Sequence, residues 1–396
     1  MNRARTYLDW NATAPLRPEA RSAMLAALDL VGNPSSVHAE GRKARALVED
    51  AREAIALRLR VRPADVFFTS GATEGAAWVL TPNAPRRMSK ASAGKAALAA
   101  LLSGATEHAC VLAGHRFPAE RVETLGVDAN GQIDLAALEA RLADLTKLHG
   151  EASIMIAVQA ANNETGVLQP TRRIAELAKA TGAVFVCDAV QLAGRAPCDA
   201  EAIWADVLLL SSHKLGGPKG VGAVVLAGDR VQPEPLIRGG GQEKRQRSGT
   251  ENVAAIAGFA AAFEAATVEA DEFAVRAGRL QQRLEGGLRA IRPDTAVFGE
   301  AAERLPNTTC FAVPGTSAET TLIALDLDGV AVSSGSACSS GKVGKSHVLD
   351  AMGIAPALAK GAIRISTGAA TTEADIDAFL STWAKINSRH ASRKVA

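Results

Sequence analysis

The chain has 396 residues, enough for one large core and a smaller second one. Hydrophobic residues make up 47% and charged residues 22%, the balance of a soluble globular protein and not of a disordered or fibrous one. The 44 basic and 42 acidic residues leave a net charge of +2, so there is no electrostatic case for nucleic acid or an anionic membrane as the main partner.

The longest apolar stretch, 253–263, falls well short of the ~20 residues that a membrane span needs. The N-terminus carries Arg3 and Arg5 but no apolar signal core, and a cytoplasmic protein is expected. Cys110, Cys187, Cys198, Cys310 and Cys338 are scattered, odd in number and without C-x-x-C spacing. That argues against a disulfide framework and against a resident zinc or iron–sulfur site within one chain.

Pro18 opens a helical pattern that runs to about Leu30. A long amphipathic helix follows Gly41, with Ala44, Leu47, Val48, Ala51 and Ile55 on its apolar face. Residues 66–69 read as a strand ended by Ser70 and Gly71, with a further helix from about Ala72. Short apolar strands and helices then alternate to about Leu226, the pattern of a parallel α/β sheet covered on both faces. Two of those strands are 183–187 and 206–210. The stretch 82–104, rich in Lys, Ala and Ser, reads as a surface excursion. One long helical pattern from about Asn252 to Ile291 leaves the first domain. Beyond it, strands at 309–313, 329–333 and 362–366 mix with helices in a smaller, antiparallel-looking unit. The last helix starts near Thr372, which with Asp375 reads as a capping box. The expected division is 16–255 for a large domain, with 1–15 and 256–396 forming a small one.

Asp188 and Lys214 each follow one of the buried strands. Ligands of such sheets bind beyond the carboxyl ends of the strands, which brings this carboxylate and this amine together. Pyridoxal phosphate needs both: an amine to hold its aldehyde as a Schiff base and a carboxylate to keep its ring nitrogen protonated. A lysine ending an apolar strand is by itself most often a surface residue. Here Ser211, Ser212 and His213 precede it, and a Gly216-Gly217-Pro218-Lys219-Gly220 loop that lets backbone approach a ligand follows. Ser211 and Lys214 also satisfy the S-x-x-K pattern of serine acyl-transfer enzymes, but that motif opens a helix and this one closes a strand.

The turn 70–74 (SGATE) offers the free amides and dipole of a helix start to a phosphate, with Thr73 adding a hydroxyl; the plainer reading is that Ser70 or Thr73 caps the helix. His108 and Asn163 stand out only beside the lysine site. Arg364 alternates with apolar neighbours on its strand, placed to fork onto a carboxylate in a cleft. Cys338 lies among small polar residues, between Gly335, Gly341 and Gly344 and near Lys342 and Lys345. That setting suits a thiol which moves and is held near its thiolate form. The Gly-rich loop 239–250 has no G-x-G-x-x-G after a strand, so a dinucleotide site is not expected.

Taken in order, YLDWNATAP at 7–15, GNPSS at 32–36 with His38, SGATE at 70–74, TEH at 106–108 and NNETG at 162–166 resemble the cysteine desulfurases. So do DAVQ at 188–191, SSHK at 211–214, RSGT at 247–250 and SSGSAC at 333–338. These are pyridoxal-phosphate enzymes of fold type I in the class V aminotransferase group. The resemblance covers the chain nearly end to end, and the run ending in Cys338 is similar to the long-loop branch.

It implies an α/β fold with a large domain built on a mostly parallel seven-stranded sheet and a smaller α+β domain. It implies that Lys214 carries the cofactor, Asp188 pairs with the ring nitrogen, Gln191 bonds the phenolic oxygen, and His108 stacks on the ring and shuttles a proton. Ala72, Thr73, Ser211 and His213 would hold the phosphate, with Thr250 reaching in from the second subunit of a homodimer. Asn163 and Arg364 would bind the carboxylate of L-cysteine, and Cys338 would take the sulfur for an iron–sulfur scaffold or another acceptor. No resident metal is implied in the monomer, with Cys338 open to transient service as a cluster ligand. A selenocysteine lyase or another class V aminotransferase would share Lys214 and Asp188. Two departures stand beside the site: Gly75 to Trp78 where many relatives carry Asn first, and Ala369 where Arg is frequent.

Overall fold

The computed structural model describes residues 5–84, 97–151, 153–227, 231–335 and 345–395. Cys338 and Lys342 lie outside them, as do residues 85–96 of the Lys/Ala-rich stretch.

In chain order, β1 (Thr6–Tyr7) leads to α1 (Pro18–Leu28), α2 (Ala39–Leu59), β2 (Val66–Thr69) and α3 (Ala72–Val79). β3 (Ala100–Gly104), α4 (Ala109–Leu112), β4 (Val122–Leu125), α5 (Leu135–His149), β5 (Ile154–Gln159) and α6 (Thr171–Thr181) follow. β6 (Val184–Asp188), α7 (Ala200–Ile203), β7 (Val207–Ser211) and β8 (Gly222–Leu226) complete the large sheet, and α8 (Val253–Val268) packs beneath it. The second unit holds α9 (Ala270–Ile291), β9 (Ala296–Val297), β10 (Thr308–Ala312), α10 (Ala318–Leu327), β11 (Val330–Ala331) and β12 (Ser333–Ser334). It ends with α11 (His347–Ala351), α12 (Pro356–Ala359), β13 (Ile363–Ser366) and α13 (Glu373–Val395).

The large sheet has seven strands in the order β2-β8-β7-β6-β5-β3-β4, all parallel except β8, which runs against both neighbours. Its continuous apolar strands are explained by burial on both faces. Successive residues of a strand point to opposite sides. Phe68, Leu102, Ile156, Phe185, Leu208 and Val225 therefore enter one core layer, while Phe67, Leu101, Met155, Val184, Val207 and Val224 enter the other. A four-stranded antiparallel sheet, β12-β13-β10-β9, organises the second unit in the same way. Phe311, Ile363 and Ile365 pack against Phe379 and Trp383 of α13, and Cys310 and Ala312 face Leu349 and Met352. Thr372 and Asp375 form the expected reciprocal cap of α13.

Two expectations need correction. The pattern at 252–291 is two helices that meet at Glu269 with a bend of 67°. No glycine or proline marks the break; the apolar face simply changes partner, from the large core to the small one. Ile256, Phe259, Phe263 and Ala266 of α8 all belong to the large core, and residue 255 lies within that helix. The strand expected at 329–333 is also two strands, β11 pairing with β1 and β12 with β13.

A buried ion pair holds the Gly-rich loop onto α2. Arg52 donates to both carboxylate oxygens of Glu243, at 2.9 and 2.8 Å, and to the Val66 carbonyl. The Phe68 amide also donates to Glu243. Glu243, Lys244 and Arg245 all have positive φ, a conformation costly for residues with a Cβ, so the pair stabilises a strained turn. Removing one partner leaves a buried charge alone. Arg52→Ala is expected to lower the free energy of unfolding by about 3–5 kcal/mol in denaturant titrations. A loss below about 1 kcal/mol, the scale of an exposed pair, would contradict this account of the turn.

Candidate active site

The cavity at the carboxyl ends of the large sheet has a volume of about 560 Å³. Around it the structure brings Ala72, Thr73, His108, Asn163, Asp188, Gln191, Ser211, His213, Lys214 and Arg364. Thr250 is exposed and does not line the cavity of its own chain. Cys338 is outside the described residues.

Each side chain is placed by the end of an element. β6 stops at Asp188 and β7 at Ser211, neighbouring parallel strands whose ends lie side by side. A single 3₁₀ turn over Ser212–Lys214 carries Lys214 into the cavity, so Ser211 and Lys214 sit at a strand end and not on a helix as an S-x-x-K serine enzyme requires. Lys214 Nζ donates to the carbonyls of Asn11 and Ala12, at 2.7 and 3.0 Å. The carboxylate of Asp188 accepts the Val190 amide at 2.9 Å. Burial pushes its pKa up to about 6, against the opposing pull of the Val190 amide and the Lys214 charge. Such a carboxylate is stabilised by a further cation, and a protonated ring nitrogen is one.

His108 accepts the Cys110 amide on Nδ1, which leaves the proton on Nε2. Burial lowers its pKa, with the charges of Lys214 and His347 adding to the effect. His213 rests with Nδ1 3.2 Å from Thr13 Oγ1. Burial, then Lys214 and Lys219, lowers its pKa to about 4, so it is neutral at pH 7. Neither Ser70 nor Thr73 caps α3. Its first residue follows Gly71 with no side-chain cap, and Glu74 turns back to the Ser70 amide. The amides of the first turn therefore face the cavity without an acceptor, as an anion site requires.

Gly75 lets this helix lie close on the sheet, since a Cβ there would meet Val224 at 2.7 Å. At the second departure, Ala369, the carbonyl accepts from Arg276.

Arg364 is fully buried on β13. It donates from Nη1 to the Asn163 carbonyl at 2.9 Å and from Nη2 to Asp9 at 2.7 Å, while its buried Nε has no partner among the described residues. Arg364 also lines the cavity, where a guanidinium suits an anionic group. Asn163 belongs to a turn built by Asn162, whose side-chain oxygen accepts the amides of Glu164 and Thr165.

Several contributors fall outside the expected set. Asn11, Ala12 and Thr13 hold Lys214 and His213, and Asp9 holds Arg364. Their signal is the polar spacing of DWNAT, which no rule of strand or helix explains. Arg195, also buried, donates to Gln191 Oε1 and to the Lys214 carbonyl, fixing the residues on either side of the cavity floor. Glu107 is buried with Oε1 accepting the Gln159 amide and Oε2 unpaired among the described residues. Burial foremost, with the Asp188 charge adding, raises its pKa well above the carboxylate range.

The groups present fit pyridoxal phosphate: an amine, a carboxylate in need of a cation, and uncapped amides for a phosphate line one cavity. Comparison with known proteins agrees. The Aminotransferase class-V family matches residues 6–379. A cysteine desulfurase of Cereibacter sphaeroides is 41% identical over 388 residues, covering 95% of this chain and 94% of its own. Cysteine desulfurase IscS of Dictyoglomus turgidum is 36% identical over 396 residues, covering 96% and 94%. Among solved structures, a NifS-like protein from Rickettsia africae superposes with a TM-score of 0.85 at 34% identity, covering 97% of this chain and all of its own. SspA in complex with cysteine superposes with a TM-score of 0.72 at 27% identity, covering 91% and 98%. With this fold, these relatives and this cavity, the chain belongs to the class V aminotransferase family of pyridoxal-phosphate enzymes, in its cysteine desulfurase group.

Proposed function

We propose that this chain converts L-cysteine to L-alanine and holds the sulfur as a persulfide on Cys338. The observation that carries the reading is that Arg364 lines the cavity that also holds Lys214 and Asp188. An amino acid could place its carboxylate on Arg364 and Asn163 while its amine lies toward Lys214. A solved relative is a complex with cysteine, which supports the choice of substrate.

Asp188 would hold the ring nitrogen of pyridoxal phosphate, Gln191 its phenolic oxygen and His108 one ring face. Ala72, Thr73, Ser211 and His213 would hold the phosphate. When bound, the cofactor supplies an aldehyde for the substrate amine and a ring that accepts the electron pair released at Cα. Lys214 is the base that takes the Cα proton and returns it. The Cys338 thiolate forms an S–S bond to the substrate sulfur as the Cβ–S bond breaks. The electron pair of that bond stays with the carbon fragment, a proton completes the methyl group of alanine, and no outside oxidant or reductant is needed.

The reading includes a homodimer, with Thr250 of the partner subunit completing the phosphate site. Two features support it. Thr250 is exposed in its own chain. Leu28, Val31 and Val37 are 67%, 85% and 86% exposed, in a segment whose Ser35 accepts from Gln242 of the same Gly-rich loop. It also includes a cytoplasmic location and delivery of sulfur to an iron–sulfur scaffold or other acceptor, with Cys338 a passing cluster ligand. Cys187, Cys198 and Cys310 are free thiols, which supports a reducing compartment. Among the described residues no single helix is long and apolar enough to cross a membrane.

The test is direct: the protein loaded with pyridoxal phosphate should release alanine and sulfide from L-cysteine in the presence of a thiol reductant. Absence of alanine would overturn the reading. Asp188 adds a pH prediction. Its pKa near 6 means that it takes up a proton as pH falls through that value, losing the charge that holds the ring nitrogen. Affinity of the cofactor-free protein for pyridoxal phosphate should weaken below about pH 6, and more steeply than in Asp188→Asn, where only the ligand's own phosphate titrates near about 6. Parallel pH profiles for the two proteins would contradict this role.

A further inference from the structure

Arg247 reaches the turn at the start of α3 from a distant part of the chain. Its Nε donates to Glu74 Oε1 at 2.9 Å and its Nη2 to Oε2 at 3.3 Å. Oε2 also accepts the Ser70 amide at 2.9 Å, which closes the turn 70–74. Glu74 lines the cavity beside Gly71, Ala72 and Thr73, and Arg247 does not. The backbone that carries Arg247 is itself fixed. The Ser248 amide donates to the Ile237 carbonyl at 3.1 Å and Ser248 Oγ to the Gly240 carbonyl at 3.0 Å, while Arg52 holds Glu243 of the same loop.

A carboxylate is a costly neighbour for a phosphate, since like charges repel. The side chain of Glu74 is only 13% exposed, so solvent ions screen it little. Burial raises its pKa, but hydrogen bonds from Arg247 and Ser70 outweigh this and hold the carboxyl below its usual range, in the charged form. Among the described residues Arg247 is its one ion-pair partner. The forked contact neutralises Glu74 and still leaves Oε2 able to hold the Ser70 amide.

We propose that Arg247 is a positioning residue for the cofactor phosphate: it cancels the charge of Glu74, which can then fix the turn 70–74 beside the cavity without repelling the phosphate. The inference rests on the reading that this turn receives the phosphate of pyridoxal phosphate.

The experiment offers the cofactor-free protein two ligands in phosphate-free buffer: pyridoxal phosphate and pyridoxal, which share ring and aldehyde and differ in the phosphate. Dissociation constants are read from the absorbance of the bound chromophore. In Arg247→Ala the constant for pyridoxal phosphate should rise about tenfold or more, the scale of a lost charge-assisted contact, while that for pyridoxal stays within about twofold. Arg247→Lys, which keeps the charge, should recover part of the loss. The double variant Arg247→Ala with Glu74→Gln removes the stranded charge and keeps an acceptor for the Ser70 amide, so it should recover most of it. Equal weakening of both ligands in Arg247→Ala would reveal a structural role alone and overturn the proposal. An unchanged constant for pyridoxal phosphate would overturn it too, as would a double variant no better than Arg247→Ala. If Arg247→Ala does not fold, Arg247→Gln takes its place in each comparison. Equal affinity of the wild-type protein for the two ligands would instead remove the phosphate reading before any variant is compared.

Discussion

Lys214→Ala should form alanine from L-cysteine at least about 10³-fold more slowly than wild type at saturating pyridoxal phosphate. Two carbonyls, on Asn11 and Ala12, hold the amine in the cavity that Asp188 also lines. Among the described residues the cavity is lined by one further lysine, Lys219, in the Gly-rich loop beyond the turn. The phosphate site proposed at Ala72, Thr73 and Ser211 does not involve Lys214, so the variant should still bind the cofactor, without the covalent bond. Borohydride reduction followed by peptide mapping reads this directly. The cofactor should be fixed on the peptide of residue 214 in wild type and on none in the variant. A fall of less than about tenfold would show that another group moves the proton.

Cys338→Ala should keep the cofactor and its response to L-cysteine, yet lose sulfide release by about 10²-fold or more, because the nucleophile for the substrate sulfur is gone. The expectation separates the proposed chemistry from its nearest relatives. A selenocysteine lyase or an aminotransferase would use Lys214, Asp188 and Arg364 without needing this thiol. Retained sulfide release would place the chain with them.

Much of the fold was legible because burial on both faces leaves a plain mark. Runs such as VFVCD at 184–188 and VLLLS at 207–211 can hardly be anything but interior strands. The polar residues that end them then point to a ligand. The site was less legible where it is assembled from distant segments. Residues 11–13 reach the cavity because β1 joins β11 and the chain then crosses to His213, whose carbonyl accepts the Ala14 amide. No local pattern announces that path. The break at Glu269 was hidden for a different reason. Helix propensity and apolar content continue across it, and only the change of packing partner ends α8. Arg364 shows both cases: its alternation with Ile363 and Ile365 marked a strand, but its burial and its bond to Asp9 are tertiary facts.

The central claim is that one cavity delivers the sulfur of cysteine to the thiol at position 338. Its most direct test is mass spectrometry of the Cys338 peptide after a single turnover with sulfur-labelled L-cysteine, alongside a count of the alanine formed. The account predicts one labelled sulfur on that peptide for each alanine. Alanine formed with the label free in solution from the outset, or fixed on a different cysteine, would contradict it.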